Sequence, residues 1–157
     1  IEFPLGLTRQ DIPVHWKLVT KIDKVSYLPE KLAFYRQQPN ATTQKKDKRL
    51  FDLVYVMDIV EDFLKKNSLY EKYKNEFLTQ RLNFFHSMYD NIDLKYRPKA
   101  LKLIKDRLND DIYYFLNKTK LVRPQANYFL MSLNGSKVNK IKFSVWNFTR
   151  FIYRKFK

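Results

Sequence analysis

FPLGLTRQDIPVHWKLVTKIDKVSYLPEKLAFYRQQPNATT, residues 3–43, is the stretch that sets the expected fold. Thr8 or Asp11 is suited to cap a helix whose first turn holds Pro13, because proline lacks only an amide hydrogen that a first turn leaves unpaired anyway. That helix is predicted to run to about Ile22, with Val14, Leu18 and Ile22 as its apolar stripe. Lys24–Leu28 and Leu32–Arg36 are short runs of β-branched and aromatic residues separated by Pro29-Glu30-Lys31, and they read as two strands or extended segments. A polar loop from Gln37 through Asn40 follows, and Pro39 with Asn40-Ala41-Thr42-Thr43 ends the second run.

Beyond Lys45 the pattern turns helical. Leu53, Val56, Met57, Val60, Phe63 and Leu64 recur at three- and four-residue intervals, which predicts a helix ending near Asn67-Ser68. A second run carries Leu78, Leu82, Phe85 and Tyr89 on one stripe, and a third helix is expected from Pro98, with Leu101, Ile104, Leu108, Ile112 and Phe115 inward. Short connectors make neighbouring helices antiparallel. Arg123-Pro124 is a break and Asn134-Gly135-Ser136 a turn. The expected class is therefore α+β, mainly α: a short strand pair near the N-terminus followed by a bundle of antiparallel helices. Three parts are expected: residues 1–44, a helical domain over 45–136, and a basic aromatic tail over 137–157.

The chain of 157 residues is long enough for one domain with a real core. At 45% apolar and 17% aromatic it is too hydrophobic for a disordered polyelectrolyte, even at net charge +15. Two glycines are too few for an all-β fold built from many hairpins. Without cysteine there is no disulfide, no thiolate nucleophile and no Cys-based zinc site. No run approaches about 18 apolar residues, so no membrane-spanning helix is expected. The start at Ile1, without a Met, a charged leader or an apolar core, reads as lacking a signal peptide and as a piece of a longer product. The excess of 31 Lys and Arg over 16 Asp and Glu points to an anionic partner: nucleic acid, an acidic lipid surface or a phosphorylated substrate.

Phe3-Pro4-Leu5-Gly6-Leu7, Gln10-Asp11-Ile12-Pro13 and Tyr35-Arg36 through Asn40-Ala41-Thr42-Thr43, in that order and spacing, resemble the C-terminal part of the catalytic domain of family 2 inverting glycosyltransferases of GT-A fold. The resemblance covers about the first third of the chain, and Gln10 stands where that family usually has Glu. It implies that Asp11 is the catalytic base. Inverting transfer needs a carboxylate to take the acceptor hydroxyl proton as that oxygen attacks the anomeric carbon. It also implies a nucleotide-sugar donor, a glycan or lipid-linked acceptor, and a role in bacterial surface polysaccharide or glycolipid synthesis. The nucleotide-binding half, with a divalent metal (Mg or Mn), is expected outside this segment, which holds no cofactor itself and alone is expected to be inactive.

Each candidate also has a plainer role. Asp11 can be an ordinary helix cap. Arg36 can reach a diphosphate by a bidentate contact or simply reach solvent. His15 and Trp16, near Asp11, can contact an acceptor or stack on a sugar, or belong to the core. His86 has no partner histidine, so no metal is expected there. Glu61-Asp62, Asp106 and Asp110-Asp111 read as solvated helix faces, and the Asn-x-Ser/Thr triplets carry no weight.

The tail from Lys137 to Lys157 has seven basic residues, six aromatics and no acid. Val138, Ile141, Val145, Phe148 and Ile152 share one helical stripe, the pattern of a helix lying in an anionic membrane interface. Lys140, Lys142, Trp146, Phe148, Arg150 and Arg154 are its expected membrane contacts, and the inner face of the cell membrane the expected location. Basic residues interleaved with aromatics can equally grip single-stranded nucleic acid. The competing reading of the whole chain is thus a non-enzymatic basic helical module that binds nucleic acid or anionic lipid.

Overall fold

The computed structural model describes residues 3–34 and 46–155, with side chains to 153. Among them are seven α-helices: α1 (Asp11–Val19), α2 (Asp52–Lys66), α3 (Tyr70–Asn91), α4 (Arg97–Lys105), α5 (Asp110–Lys118), α6 (Pro124–Leu133) and α7 (Lys137–Lys155). Short 3-10 turns precede α2 at Lys48–Phe51 and α4 at Leu94–Tyr96.

No strand occurs among the described residues, so the fold there is all-helical and the expected α+β class is corrected. Lys24–Leu28 and Leu32–Phe34 have no regular structure and lie open to solvent, with Tyr27 86% and Phe34 91% exposed. The physical reason is that β propensity measures fit to a pleated, half-buried surface, and a lone two-stranded hairpin is marginal in water. All residues of these runs that the structure describes are exposed. Tyr35, Arg36 and the polar loop through Thr43 lie outside the described residues.

The helix α1 is shorter than expected, ending at Val19 rather than near Ile22, and neither Thr8 nor Asp11 caps it. Gln10 is the residue before its first turn and makes no side-chain cap bond. Thr8 instead ties the entry loop to the start of α2: its amide and hydroxyl both donate to Asp52 Oδ2, each at 2.8 Å. The buried face is Pro13, Val14 and Trp16, whereas Leu18 and Ile22 are half exposed. An indole buries more area than any aliphatic side chain, so Trp16 decides which way the helix turns.

Three residues, 67–69, join α2 to α3 as a helical hairpin. Ser68, with φ 57, takes the left-handed conformation that commonly ends a helix. Leu53, Val54, Met57, Val60 and Leu64 of α2 are buried with Phe77, Leu82, Phe85 and Met88 of α3, in one core that extends to Ile104, Leu116 and Leu130. Arg81 is buried within that packing, where it donates to Glu61 Oε2 at 2.5 Å and Asp58 Oδ1 at 3.1 Å. Arg107 closes the same cluster with two hydrogen bonds from Nε to Asp58 at 3.0 Å and one from Nη2 at 2.6 Å. Burial pushes the Glu61 carboxyl up, but the hydrogen bond from Lys65 and the charge of Arg81 outweigh it and hold the group below the usual carboxylate range. Glu61 is therefore part of a structural ion cluster rather than a merely solvated face.

The single third helix expected over residues 98–115 is two helices. Asn109 (φ −136, ψ 177) breaks it, and its side-chain oxygen accepts the Ile112 amide at 3.0 Å as the cap of α5. Asp110 and Asp111 then occupy the first turn, where the helix dipole favours negative charge. Asn109→Ala is expected to cost about 1 kcal/mol, the usual worth of such a cap. Urea unfolding checks this, and an unchanged midpoint would remove the cap as the cause of the break.

Residues 134–136 turn α6 back into α7, with Gly135 at φ 81. The seat of α7 is aromatic: Phe143 lies 5.3 Å from Phe129 and 6.2 Å from His86, between ring centroids. Arg150 Nη1 donates to Asp90 Oδ2 of α3 at 2.6 Å.

Candidate functional site

Two surfaces carry the residues that sequence reasoning singled out. The first is the exposed edge of α1. Asp11 and His15 stand one turn apart on that helix, both exposed, as residues four apart on a helix must share a face. Both line a cleft of 380 Å³ with Phe3, Trp16 and Gln80. Among the described residues the Asp11 carboxylate has no hydrogen bond or ion pair, so it is open to an incoming group.

Trp16, only 8% exposed, is the anchor behind that edge. Its Nε1 donates to Gln80 Oε1 at 2.6 Å, and its ring meets Tyr73 and Phe77 edge-on at 6.4 and 6.3 Å. Trp16, His15 and Gln80 also line a second cleft of 670 Å³, together with Tyr73, Glu76 and Thr79. Gln80, Glu76 and Thr79 were not expected at the site. They are polar positions of α3, and they join the site because Trp16 reaches from α1 to Tyr73, Phe77 and Gln80, a contact that no local pattern encodes. Arg36 lies outside the described residues, so its place relative to Asp11 is not given. Among the described residues no group of three or more His, Asp and Glu side chains converges to hold a metal ion.

The second surface is the outward side of α7. Asn139, Phe143 and Arg150 face the body, while Val138, Ile141, Val145, Phe148 and Ile152 stay exposed, Phe148 by 64%. On the helix register that exposed stripe runs opposite the packed seam, with Lys137 and Lys142 flanking it on either side. Of the expected membrane contacts, Phe148 lies in the stripe and Lys140 is exposed on the helix flank. Lys142 sits over the Tyr128 ring at 5.5 Å, Trp146 lies at the edge of the seam, and Arg150 is committed to Asp90. The side chain of Arg154 lies outside the described residues. From Ile112 to Lys157 the sequence has ten basic residues and no acidic one. No helix among the described residues is long and apolar enough to cross a membrane.

His86 sits under this helix, buried between Phe129 and Phe143. Burial pushes its imidazole below the usual value; Asp90 pulls it up, and Arg150 and Arg123 push it further down. The folded state thus binds this proton less readily than the unfolded chain. Stability from this group is fully present above about pH 6.5, the unfolded value, and falls as pH drops toward the lower folded value. Melting followed from pH 7.5 to pH 5 is expected to lose stability at no more than about 1.4 kcal/mol per pH unit from this one proton. His86→Phe should flatten that slope. A slope unchanged in the variant would assign it to another group.

Compared with protein-family models, with curated proteins and with solved structures, the chain gave no match.

Proposed function

We propose that this chain is the helical, acceptor-side C-terminal part of an inverting, sugar-nucleotide-dependent glycosyltransferase, with Asp11 as the general base. The observation that carries the reading is the placement of Asp11. It stands exposed in the first turn of α1 at the mouth of a cleft, and the next turn is pinned to the body by Trp16 and Gln80. A general base must reach a substrate hydroxyl and be held in position while doing so. Asp11 meets the first need by exposure, and α1 meets the second through its anchor. In the step itself, the Asp11 carboxylate takes the acceptor hydroxyl proton as the oxygen attacks the anomeric carbon and the nucleoside diphosphate leaves from the opposite face.

The same protein is proposed to work peripherally on the inner face of the cell membrane, with the outward stripe of α7 against anionic lipid. Turnover of the Asp11→Asn variant in the full-length protein tests the catalytic claim, and vesicle binding tests the membrane claim. The acid-free stretch from Ile112 onward also favours a second reading, a non-enzymatic basic module gripping nucleic acid. Salt-steep binding to single-stranded oligonucleotides, without vesicle binding, would favour it.

A further inference from the structure

Beside the outward stripe of α7 lies a groove of 590 Å³, walled by the end of α5, the loop into α6, and the first turns of α7. Its lining includes Lys120, Lys142, Asn117, Thr119 and Asn139, and no acidic residue. Val138 belongs both to this groove and to the exposed apolar stripe, so the polar recess opens directly onto the apolar face. The floor is fixed, because Asn127 Nδ2 donates to the Leu116 carbonyl at 2.7 Å and so ties α6 to the end of α5. Thr119 Oγ1 accepts the Leu121 amide at 3.1 Å and keeps its own hydroxyl proton to donate. Among the described residues neither Lys120 nor Lys142 has an ion-pair partner.

We infer that this groove takes the phosphate head of an anionic lipid while the adjoining stripe of α7 enters the acyl boundary. The inference rests on the membrane reading above and adds a specific headgroup site to it. A phosphate diester offers acceptor oxygens and negative charge. The groove offers two ammonium groups, a hydroxyl and two amides, with no carboxylate to repel it. The position matters as much as the charge. Lipid phosphates lie just outside the acyl boundary, and a helix resting on that boundary by Val138 and Ile141 brings the flanking Lys142 to phosphate depth. Basic residues on the other faces of the described helices, such as Lys102 and Lys105 of α4, add only diffuse attraction.

The test compares two double variants with the same charge change, using the full-length protein and vesicles of phosphatidylcholine with or without phosphatidylglycerol. Lys120→Gln/Lys142→Gln removes the groove cations. Lys102→Gln/Lys105→Gln removes two exposed cations of α4, away from the groove. The groove variant is expected to lose about thirtyfold in affinity for the acidic vesicles, since each nearby basic residue contributes roughly a factor of five, and the α4 variant much less. In a parallel arm, glycerophosphoglycerol, the same head without acyl chains, should shift the Asn139 and Thr119 amide resonances only weakly, and not at all in the groove variant. Equal losses in the two variants would overturn the groove and leave the membrane reading standing. No binding of the wild type to acidic vesicles would remove both. Saturation by the free head or by inorganic phosphate as tight as vesicle binding would reassign the groove to a soluble phosphate compound and overturn the lipid assignment.

Discussion

Asp11→Asn in the full-length protein is expected to lower sugar transfer by about two to four orders of magnitude, the range for loss of a positioned acid or base. Folding should be nearly untouched. The carboxylate makes no hydrogen bond or ion pair among the described residues, and α1 is held by Trp16, whose indole donates to Gln80 at 2.6 Å. What asparagine removes structurally is one negative charge in a first turn, which is worth about 0.3–1 kcal/mol at an exposed site. The two roles of Asp11 therefore predict opposite patterns. A base loses turnover and keeps stability. A helix-start charge loses a few tenths of a kcal/mol and keeps turnover. Release of nucleoside diphosphate from a panel of nucleotide sugars with acceptor membranes, measured beside a melting curve, separates them. His15→Ala, which alters the same cleft without touching a carboxylate, should cost much less. Turnover of Asp11→Asn close to that of the wild type would sink the catalytic assignment.

Much of the helical body was legible because helices are specified locally. The α2 stripe Leu53, Val56, Met57, Val60 and Leu64 is buried as its spacing demands, and Pro124 opens α6 where proline suits a first turn. The break between α4 and α5 was hidden because Leu101, Ile104, Leu108, Ile112 and Phe115 keep a helical spacing straight across it. The first helix ends at Lys105, and the side chain of Asn109, capping the Ile112 amide, starts a new one. The strand pair was misread for the opposite reason. Val25, Tyr27, Leu32 and Phe34 have the residue types of strands, but a strand exists only when a neighbour completes its hydrogen bonds, and propensity says nothing about that neighbour.

The geometry around the candidate site residues was legible in part. The exposure of Asp11 at a helix start follows from its position beside Pro13 in the first turn, a local fact. The burial of Trp16 depends on Tyr73, Phe77 and Gln80, about sixty residues along the chain, and of the expected stripe Val14 is buried whereas Leu18 and Ile22 are half exposed. The amphipathic character of α7 was plain in the sequence, but not its division into two faces. Phe143 and Arg150 look like members of one basic aromatic helix until His86, Phe129 and Asp90 claim them for the body. That division changes what a membrane experiment should measure. Trp146 lies at the edge of the seam, so its fluorescence is a poorer reporter of insertion than the stripe itself.

Replacing Ile141 and Phe148 together by serine is accordingly expected to abolish most binding to acidic vesicles while leaving the fold intact. Both side chains are more than 60% exposed, at 65% and 64%, and neither packs on the core. Surface changes of this kind usually fall within about 0.5 kcal/mol of neutral in stability. In the interface the balance reverses. Full burial of an Ile or Phe side chain is worth about 1.5–3 kcal/mol, so even half-insertion of the two removes roughly 1.5–3 kcal/mol, or about ten- to more than a hundredfold in affinity. The basic flank, unchanged in the variant, should then retain only the salt-sensitive remainder. Flotation with phosphatidylglycerol vesicles at two salt concentrations reads both contributions at once. The wild type should keep part of its binding at high salt through the stripe, and the variant should lose nearly all of it. If the two proteins bind alike, the exposed stripe does not enter lipid, and the attraction of this basic end of the chain is electrostatic alone. Single-stranded nucleic acid would then become the better candidate for its partner.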